Sequence, residues 1–299
     1  MSPPTSVVLD SRAVLAVTGE DRRAFLQGLI SNDVNKVAAD HAVHAAFLTA
    51  QGRFLHEFFV AELGDRLLLD AEAPRLEDLR RRLAMYKLRA KVALEPLADG
   101  FAVVALIGDG AAAALGCGGA PGDAVGFAGG IAFVDPRLAE LGLRAILPPT
   151  ELSALAARGF VPGRLEDYDA LRLTLGVGDG SRDLAVEHAL LLENGFDELN
   201  GVDWKKGCYI GQELTARMKY RALVKRRLTP VRIEGPRPAP GTPVTLDGAE
   251  AGEMRSSSGT LGLALLRIEA LEALRARGGT LVAGEARLAP QTPAWHAGA

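Results

Sequence analysis

The chain has 299 residues, 48% of them hydrophobic and 24% charged, with a formal net charge of −3. That length and apolar content support a large core and two or three domains. The balanced charge excludes an overall nucleic-acid or membrane footprint, and two cysteines exclude a disulfide framework or a four-cysteine zinc site within one chain.

Met1 to Asp10 lacks a basic segment followed by an apolar run, so no secretory signal is expected. The longest strongly apolar run, Phe101 to Ile107, is too short to span a bilayer. These features point to a soluble protein of the reducing cytoplasm with no membrane partner.

Ser6 to Leu9 and Ala13 to Val17 read as short strands. A helix is predicted from Thr18 or Gly19 to Ser31-Asn32-Asp33, with Phe25, Leu26, Leu29 and Ile30 on one face. Val43 to Thr49 and Arg53 to Leu63 are strand candidates joined by a turn at Gln51-Gly52, and Leu67 to Leu69 follows. Pro74 to Leu88 reads as a helix that buries Leu76, Leu79, Leu83 and Tyr86 and leaves Arg80, Arg81 and Arg82 mostly solvated. Val92 to Leu97 and Phe101 to Ile107 return as strands. Asp109 to Leu115 reads as a short helix, Gly116 to Gly130 as a loop holding Cys117, and Ile131 to Val134 as a strand.

Pro148-Pro149 breaks the chain. Thr150 is expected to cap a helix through Ala157, and Pro162 to Leu175 to form another, with Tyr168, Leu171, Leu173 and Leu175 in packing. After Arg227 the composition shifts to Pro, Gly and short alternating segments. Thr229 to Ile233, Pro243 to Leu246, Gly252 to Ser257, Thr260 to Leu266 and Thr280 to Leu288 read as strands of a small β-barrel. The order of elements argues an α+β protein with a terminal barrel.

The densest chemistry lies in Lys205 to Arg217, K-K-G-C-Y-I-G-Q-E-L-T-A-R. Cys208 stands between Gly207 and Gly211, which permit tight turns. Lys205 and Lys206 precede it, and a helix from Gln212 to Tyr220 follows, with Glu213 in its first turn. Nearby cations and a helix start favour a thiolate. A lone cysteine is equally a small buried apolar residue, and the residues alone leave both readings open.

Lys206 to Glu213 resembles the K-G-C-[FY]-x-G-Q-E signature of the YgfZ-type folate-binding proteins, which are similar in fold to the glycine-cleavage T-protein, an aminomethyltransferase. Asn200 to Trp204, Ala216-Arg217 and the Phe25 to Val34 stretch are similar to the same group. The resemblance implies a T-protein-like ring of three domains. The first is split over 1–44 and 148–226, an α+β domain is inserted at 45–147, and the barrel occupies 227–299. It also implies tetrahydrofolate or a derivative as cofactor and a role for Cys208 in thiol chemistry or as ligand of a transient iron–sulfur cluster. One cysteine cannot complete a cluster's ligand set, so assembly or client proteins, or small thiols, are expected to supply the rest.

Glu193, in Leu191-Leu192-Glu193-Asn194, resembles the element preceding the signature in that family. A carboxylate can accept both the ring N–H and the exocyclic amine of a pterin, and a solvated helix-end Glu is the plain alternative. In a competing register, Arg172 to Gly176 resembles the T-protein's pterin-binding segment and puts Thr174 where the carboxylate belongs. Lys206 and Tyr209 of the signature are assigned to the cofactor. Arg217 and Arg226, with Arg172, Arg221 and Arg227, are cations for the carboxylates of the folate tail. The basic run from Lys219 to Arg227 also admits a single-stranded or tRNA contact.

The T-protein's catalytic aspartate falls by resemblance at His56-Glu57. Strand alternation puts these two on opposite faces, and Glu57 is taken as the catalytic candidate. Its extra methylene moves the base. The leading expectation is therefore a folate-binding accessory protein for assembly or repair of iron–sulfur clusters, with a folate-dependent aminomethyl or one-carbon transferase as the alternative.

Overall fold

A computed structural model describes residues 3–97 and 100–296. The extreme ends of the expected first and last domains, 1–2 and 297–299, lie outside these.

In chain order the strands and helices are β1 (Thr5–Val8), β2 (Arg12–Thr18), α1 (Arg22–Gln27), β3 (Val43–Leu48), β4 (Phe54–Leu63), β5 (Arg66–Glu72), α2 (Leu76–Ala84), β6 (Ala93–Pro96) and β7 (Ala102–Ile107). There follow α3 (Ala111–Leu115), β8 (Ala124–Phe127), β9 (Gly130–Val134), β10 (Leu143–Leu147), α4 (Ser153–Ala157), β11 (Val161–Pro162), α5 (Leu165–Thr174), α6 (Gly180–Asp183) and α7 (Gln212–Tyr220). The C-terminal part holds β12 (Arg226–Glu234), β13 (Pro243–Leu246), β14 (Ala249–Ser258), β15 (Leu261–Arg267), α8 (Ile268–Arg277), β16 (Leu281–Ala283) and β17 (Ala286–Pro290). The class is α+β with a closed C-terminal barrel, as the sequence leads one to expect.

The chain forms two compact units, one of residues 1–50, 55–168 and 199–212, the other of 51–54, 169–198 and 213–299. The first holds a six-stranded sheet, β11-β1-β7-β10-β9-β8, and a five-stranded sheet, β3-β4-β5-β2-β6. Val7, Val14, Phe59, Leu68, Val103, Phe133 and Ile146, drawn from both sheets, form one buried cluster. Val104, Leu106, Ala132 and Leu147 point the other way and pack with Ala111 and Leu115 of α3 and Leu155 of α4. Adjacent β7 residues thus serve different cores, which is the period-two alternation of a strand buried on both faces.

In the second unit β12-β15-β14-β13-β16-β17 close into a barrel. Its interior is filled by Val231, Val244, Met254, Ala264, Leu266 and Leu288 among others.

Several local expectations change. Helix α1 is shorter at both ends; at the C-terminal end the Leu26 carbonyl takes both the Leu29 and Ile30 amides, and Ile30 then pairs with Phe47 as a β-bridge. Helix α2 stops at Ala84, so Tyr86 is exposed and not part of the buried stripe. Thr150 makes no cap: a 3₁₀ turn, Pro149–Glu151, precedes α4. Helix α5 begins at Leu165, after Val161 and Pro162 have paired with β1. The loop expected at 116–130 contains β8, and the single strand expected at 280–288 is the hairpin β16–β17, with Gly284 at φ +60° between them. The unexpected α8 reads I-E-A-L-E-A-L-R-A-R, nearly all strong helix formers.

Candidate functional site

The signature loop is built on the end of α1. A helix leaves its last carbonyls without intrahelical donors, and a cation suits that end of the dipole. Lys206 fills the role: its Nζ donates to the carbonyls of Gln27 at 2.7 Å and Ile30 at 2.5 Å. Gln27 answers by donating Nε2 to the Lys206 carbonyl at 3.2 Å, and the Ile210 amide donates to the Gly28 carbonyl at 3.2 Å. Burial draws the Lys206 pKa down to about 8, against the opposing charges of Asp33 and Asp203. The ammonium also lies 5.1 Å from the centroid of the Tyr209 ring, and Tyr209 is buried. Gly207 and Gly211 have φ of +91° and +80°, conformations that favour glycine.

The strand of chain leading into this loop is stitched to the same support. Ser31 Oγ donates to the Gly201 carbonyl at 2.6 Å, and Asn32 Nδ2 donates to the carbonyls of His44 and Asn200, both at 2.7 Å. Asn32 is therefore a buried crosslink, more than the turn residue its sequence context suggests. The result is an anchored loop that leaves Cys208 exposed. Lys206, expected beside the thiol and as a cofactor contact, is engaged by two backbone carbonyls, and Tyr209 is packed beneath it. Among the described residues no group of three or more His, Cys, Asp or Glu side chains could hold a metal ion. A metal at Cys208 therefore needs ligands from outside these residues.

Glu57 lies elsewhere in the same unit, inside a buried ionic network. Its Oε2 pairs with His44 Nε2 at 2.7 Å, and its Oε1 accepts from Arg12 at 3.4 Å. Burial lowers the His44 pKa against the pull of Glu57, so the imidazole is neutral and donates to the carboxylate. Burial opposes ionisation of Glu57, but the His44 hydrogen bond and the guanidiniums of Arg12 and Arg137 outweigh it and hold the carboxyl well below its usual range.

Asp70 accepts from Arg12 Nε at 2.7 Å and Arg144 Nε at 2.8 Å, Asp135 pairs with Arg137 at 2.8 Å, and Arg137 and Arg144 both donate to Tyr168 at 3.2 Å. The same three guanidiniums lie 4.1–5.6 Å from the Phe59 ring centroid. Glu57, the catalytic candidate, is thus a carboxylate 3% exposed and held ionised by fixed partners, which is the geometry of a structural ion pair.

His56 points to the other face, as alternation requires, and pairs with Asp78 at 3.0 Å. Burial first, and the nearby Arg75 second, push its pKa down to about 4. Sequence reasoning missed Arg12, His44, Asp70, Asp135, Arg137 and Arg144 as one cluster. The available signal was charge inside apolar runs, as in L-L-L-D-A and L-R-A-I-L, because a buried charge needs a partner.

In the second unit Glu193 is buried, and Arg226 clamps both its oxygens at 3.2 and 2.9 Å. The pair borders a groove of about 950 Å³ whose walls include Val224, Pro243, Leu265 and Ile268. Glu250, Glu253, Glu269 and Glu272 also face it, against Lys225 and Arg267. Arg172 is corrected as a cation for a folate tail. It is fully buried and tied to Asp169 at 2.6 Å, Asp183 at 2.8 Å and Ser256 at 2.9 Å. Thr174 is exposed, and its hydroxyl donates back to the Ala170 carbonyl at 2.7 Å. Arg217 and Arg221 are exposed. The basic run that admits a tRNA contact is partly neutralised, with Lys219 on Asp197, Arg226 on Glu193 and Arg227 on Glu198.

Known proteins extend this picture. Residues 225–297 match the family model described as CAF17, C-terminal beta-barrel domain. The human iron–sulfur cluster assembly factor IBA57, mitochondrial, is 36% identical over 308 aligned positions, covering 96% of this chain and 84% of that protein. The chain belongs to the IBA57 family. The mouse IBA57 is 35% identical, covering 88% of this chain and 78% of its own length, and the homologue of the fungus Pyricularia oryzae is 34% identical, covering 87% and 71%. The resemblance to YgfZ-type, T-protein-like proteins fits IBA57 membership. The glycine cleavage system aminomethyltransferase T of Bartonella henselae shares the fold, with a TM-score of 0.75 at 15% identity, over 97% of this chain and 85% of that one. The cytoplasmic location expected from the N-terminus and cysteine content is overturned, because these IBA57 relatives are all named mitochondrial.

Proposed function

We propose that this protein is an assembly factor for iron–sulfur clusters in which Cys208 supplies one thiolate to a cluster in transit. The carrying observation is the exposed Cys208 on a loop anchored from below by Lys206, Gln27 and the Gly28 carbonyl. A cargo site needs both properties: access for a second protein, and a fixed position that limits the entropy lost on docking. The relatives' names supply the cargo. The missing thiolates come from the protein that gives or takes the cluster.

Tetrahydrofolate belongs to the finer part of the proposal and rests on the family resemblance and on Glu193. The groove beside Glu193 has a volume suited to a small molecule, and Glu193 retains acceptor capacity beside Arg226. Its carboxylate-rich wall suits a pterin head and opposes the anionic tail, so Arg217 and Arg221 are the remaining tail cations of the expected set. The three-domain division, with an inserted segment at 45–147, is kept as part of the proposal on the same resemblance. An accessory role accounts for Glu57 better than the one-carbon transferase alternative, which needs a mobile base at that position.

The test is complementation. Cells lacking their own family member, supplied with this chain, should recover the activity and cluster content of their iron–sulfur enzymes, and Cys208→Ser should abolish the recovery. Full recovery with Cys208→Ser would remove the thiolate from the mechanism. Tetrahydrofolate titration of the wild type against Glu193→Ala tests the finer part separately.

A further inference from the structure

Residues 85–91, Met-Tyr-Lys-Leu-Arg-Ala-Lys, form a turn immediately after α2 in the first unit. Three large apolar side chains within four positions face solvent: Leu88 is 91% exposed, Met85 63% and Tyr86 38%. Scattered exposed apolar residues need no explanation, but a contiguous group does. The turn is a built feature. The Tyr86 amide donates to the Leu83 carbonyl, Lys87 to Ala84, and Ala90 closes back on Lys87 at 2.7 Å. Leu88 sits at φ +42°, a left-handed conformation that a leucine seldom adopts. Lys87 and Arg89 flank it, both exposed, and neither forms an ion pair with the described residues.

The turn shares its footing with the signature loop. The Tyr86 ring meets Phe47 edge-on at 6.0 Å, Phe47 is bridged to Ile30, and the Ile30 carbonyl receives the Lys206 ammonium.

We propose that the Met85–Arg89 turn is a docking hook for the protein that shares the cluster with Cys208. Met85 and Leu88 enter an apolar socket on that partner, and Lys87 and Arg89 meet carboxylates at its rim. The proposal rests on the assembly reading of Cys208 for the identity of the partner. Apolar residues beside cations also suit an anionic lipid surface. The shared footing with the cysteine loop favours the protein.

The probe is a purified iron–sulfur carrier protein that presents its own cysteines, used both free of cluster and loaded. Binding of the cluster-free carrier is measured for the wild type, Leu88→Asp, Leu88→Ser and Arg89→Glu, with circular dichroism to check the fold. Each hook variant should weaken docking by about tenfold or more, the loss typical of an interface anchor. Wild-type affinity in the folded variants, or no docking by the wild type, overturns the hook. So does binding to phosphatidylcholine–phosphatidylglycerol vesicles that the variants lose while keeping carrier affinity. Absorbance of the complex formed with loaded carrier reports on the Cys208 reading by itself: a bridged cluster that persists in Cys208→Ser sinks that reading, whatever the hook variants do.

Discussion

Glu57 and Cys208 both carry chemistry expected of this chain, and the fold treats them in opposite ways. Glu57 lies among Arg12, His44, Asp70, Asp135, Arg137 and Arg144, where every charge has a fixed partner. Cys208 stands exposed on a loop whose other side chains do the anchoring. A charge taken out of water must be matched, and matching removes the freedom that catalysis needs. An exposed thiol on a fixed backbone keeps its reactivity and gains position. Function is therefore expected where the loop is held and the side chain is not.

The contrast breaks most visibly at Asp70. Asp70→Asn leaves the guanidiniums of Arg12 and Arg144 without their shared carboxylate and should cost on the order of 3–5 kcal/mol in urea unfolding. Cys208→Ser in the same assay should stay within about 0.5 kcal/mol. Equal losses in the two variants would erase the distinction.

A smaller effect is expected from pH. The folded pKa of His56 is about 4, below the ordinary 6.5. Between these values the unfolded chain binds a proton that the folded chain refuses, so stability falls as the pH drops from 6.5 to 4. The loss reaches at most about 3 kcal/mol, and His56→Gln should flatten that limb of the stability–pH curve. An unchanged limb would place the titration elsewhere.

Lys206→Met sharpens the other side of the comparison. Loss of the two carbonyl contacts should loosen the cysteine loop by about 1 kcal/mol, read as faster hydrogen exchange of the Ile210 amide. The wild-type anchor should also show a pH signature. With a folded pKa of about 8 against 10.5, Lys206 makes stability rise with pH across that window, and the variant should lack the rise. The smallest effect belongs to Arg81, whose exposed pair with Asp78 is worth no more than about 0.5 kcal/mol, so Arg81→Ala should leave the melting curve nearly unmoved.

What could be read without the structure was local. The K-G-C-Y-I-G-Q-E run, the glycines around Cys208, the alternation that separates His56 from Glu57 and the barrel's short strands all depend on neighbours within a few positions. Helix ends were less legible. Tyr86 fits the periodicity of α2, but the helix ends at Ala84 and a turn follows, an end that the apolar periodicity does not mark.

The sequence by itself determined the class and the family signature with Cys208 at its centre, and the structure showed that this thiol is exposed. Tertiary structure alone decided that Glu57 is locked, that Arg172 is an internal brace, and that Lys206 holds the cysteine loop by the end of α1. Those outcomes depend on pairs far apart in the chain, Arg12 with Asp70, Asp70 with Arg144, Lys206 with Ile30, and strand register and helix packing bring them together. No local pattern encodes such a meeting, because the free energy that selects it comes from burying all the partners at once.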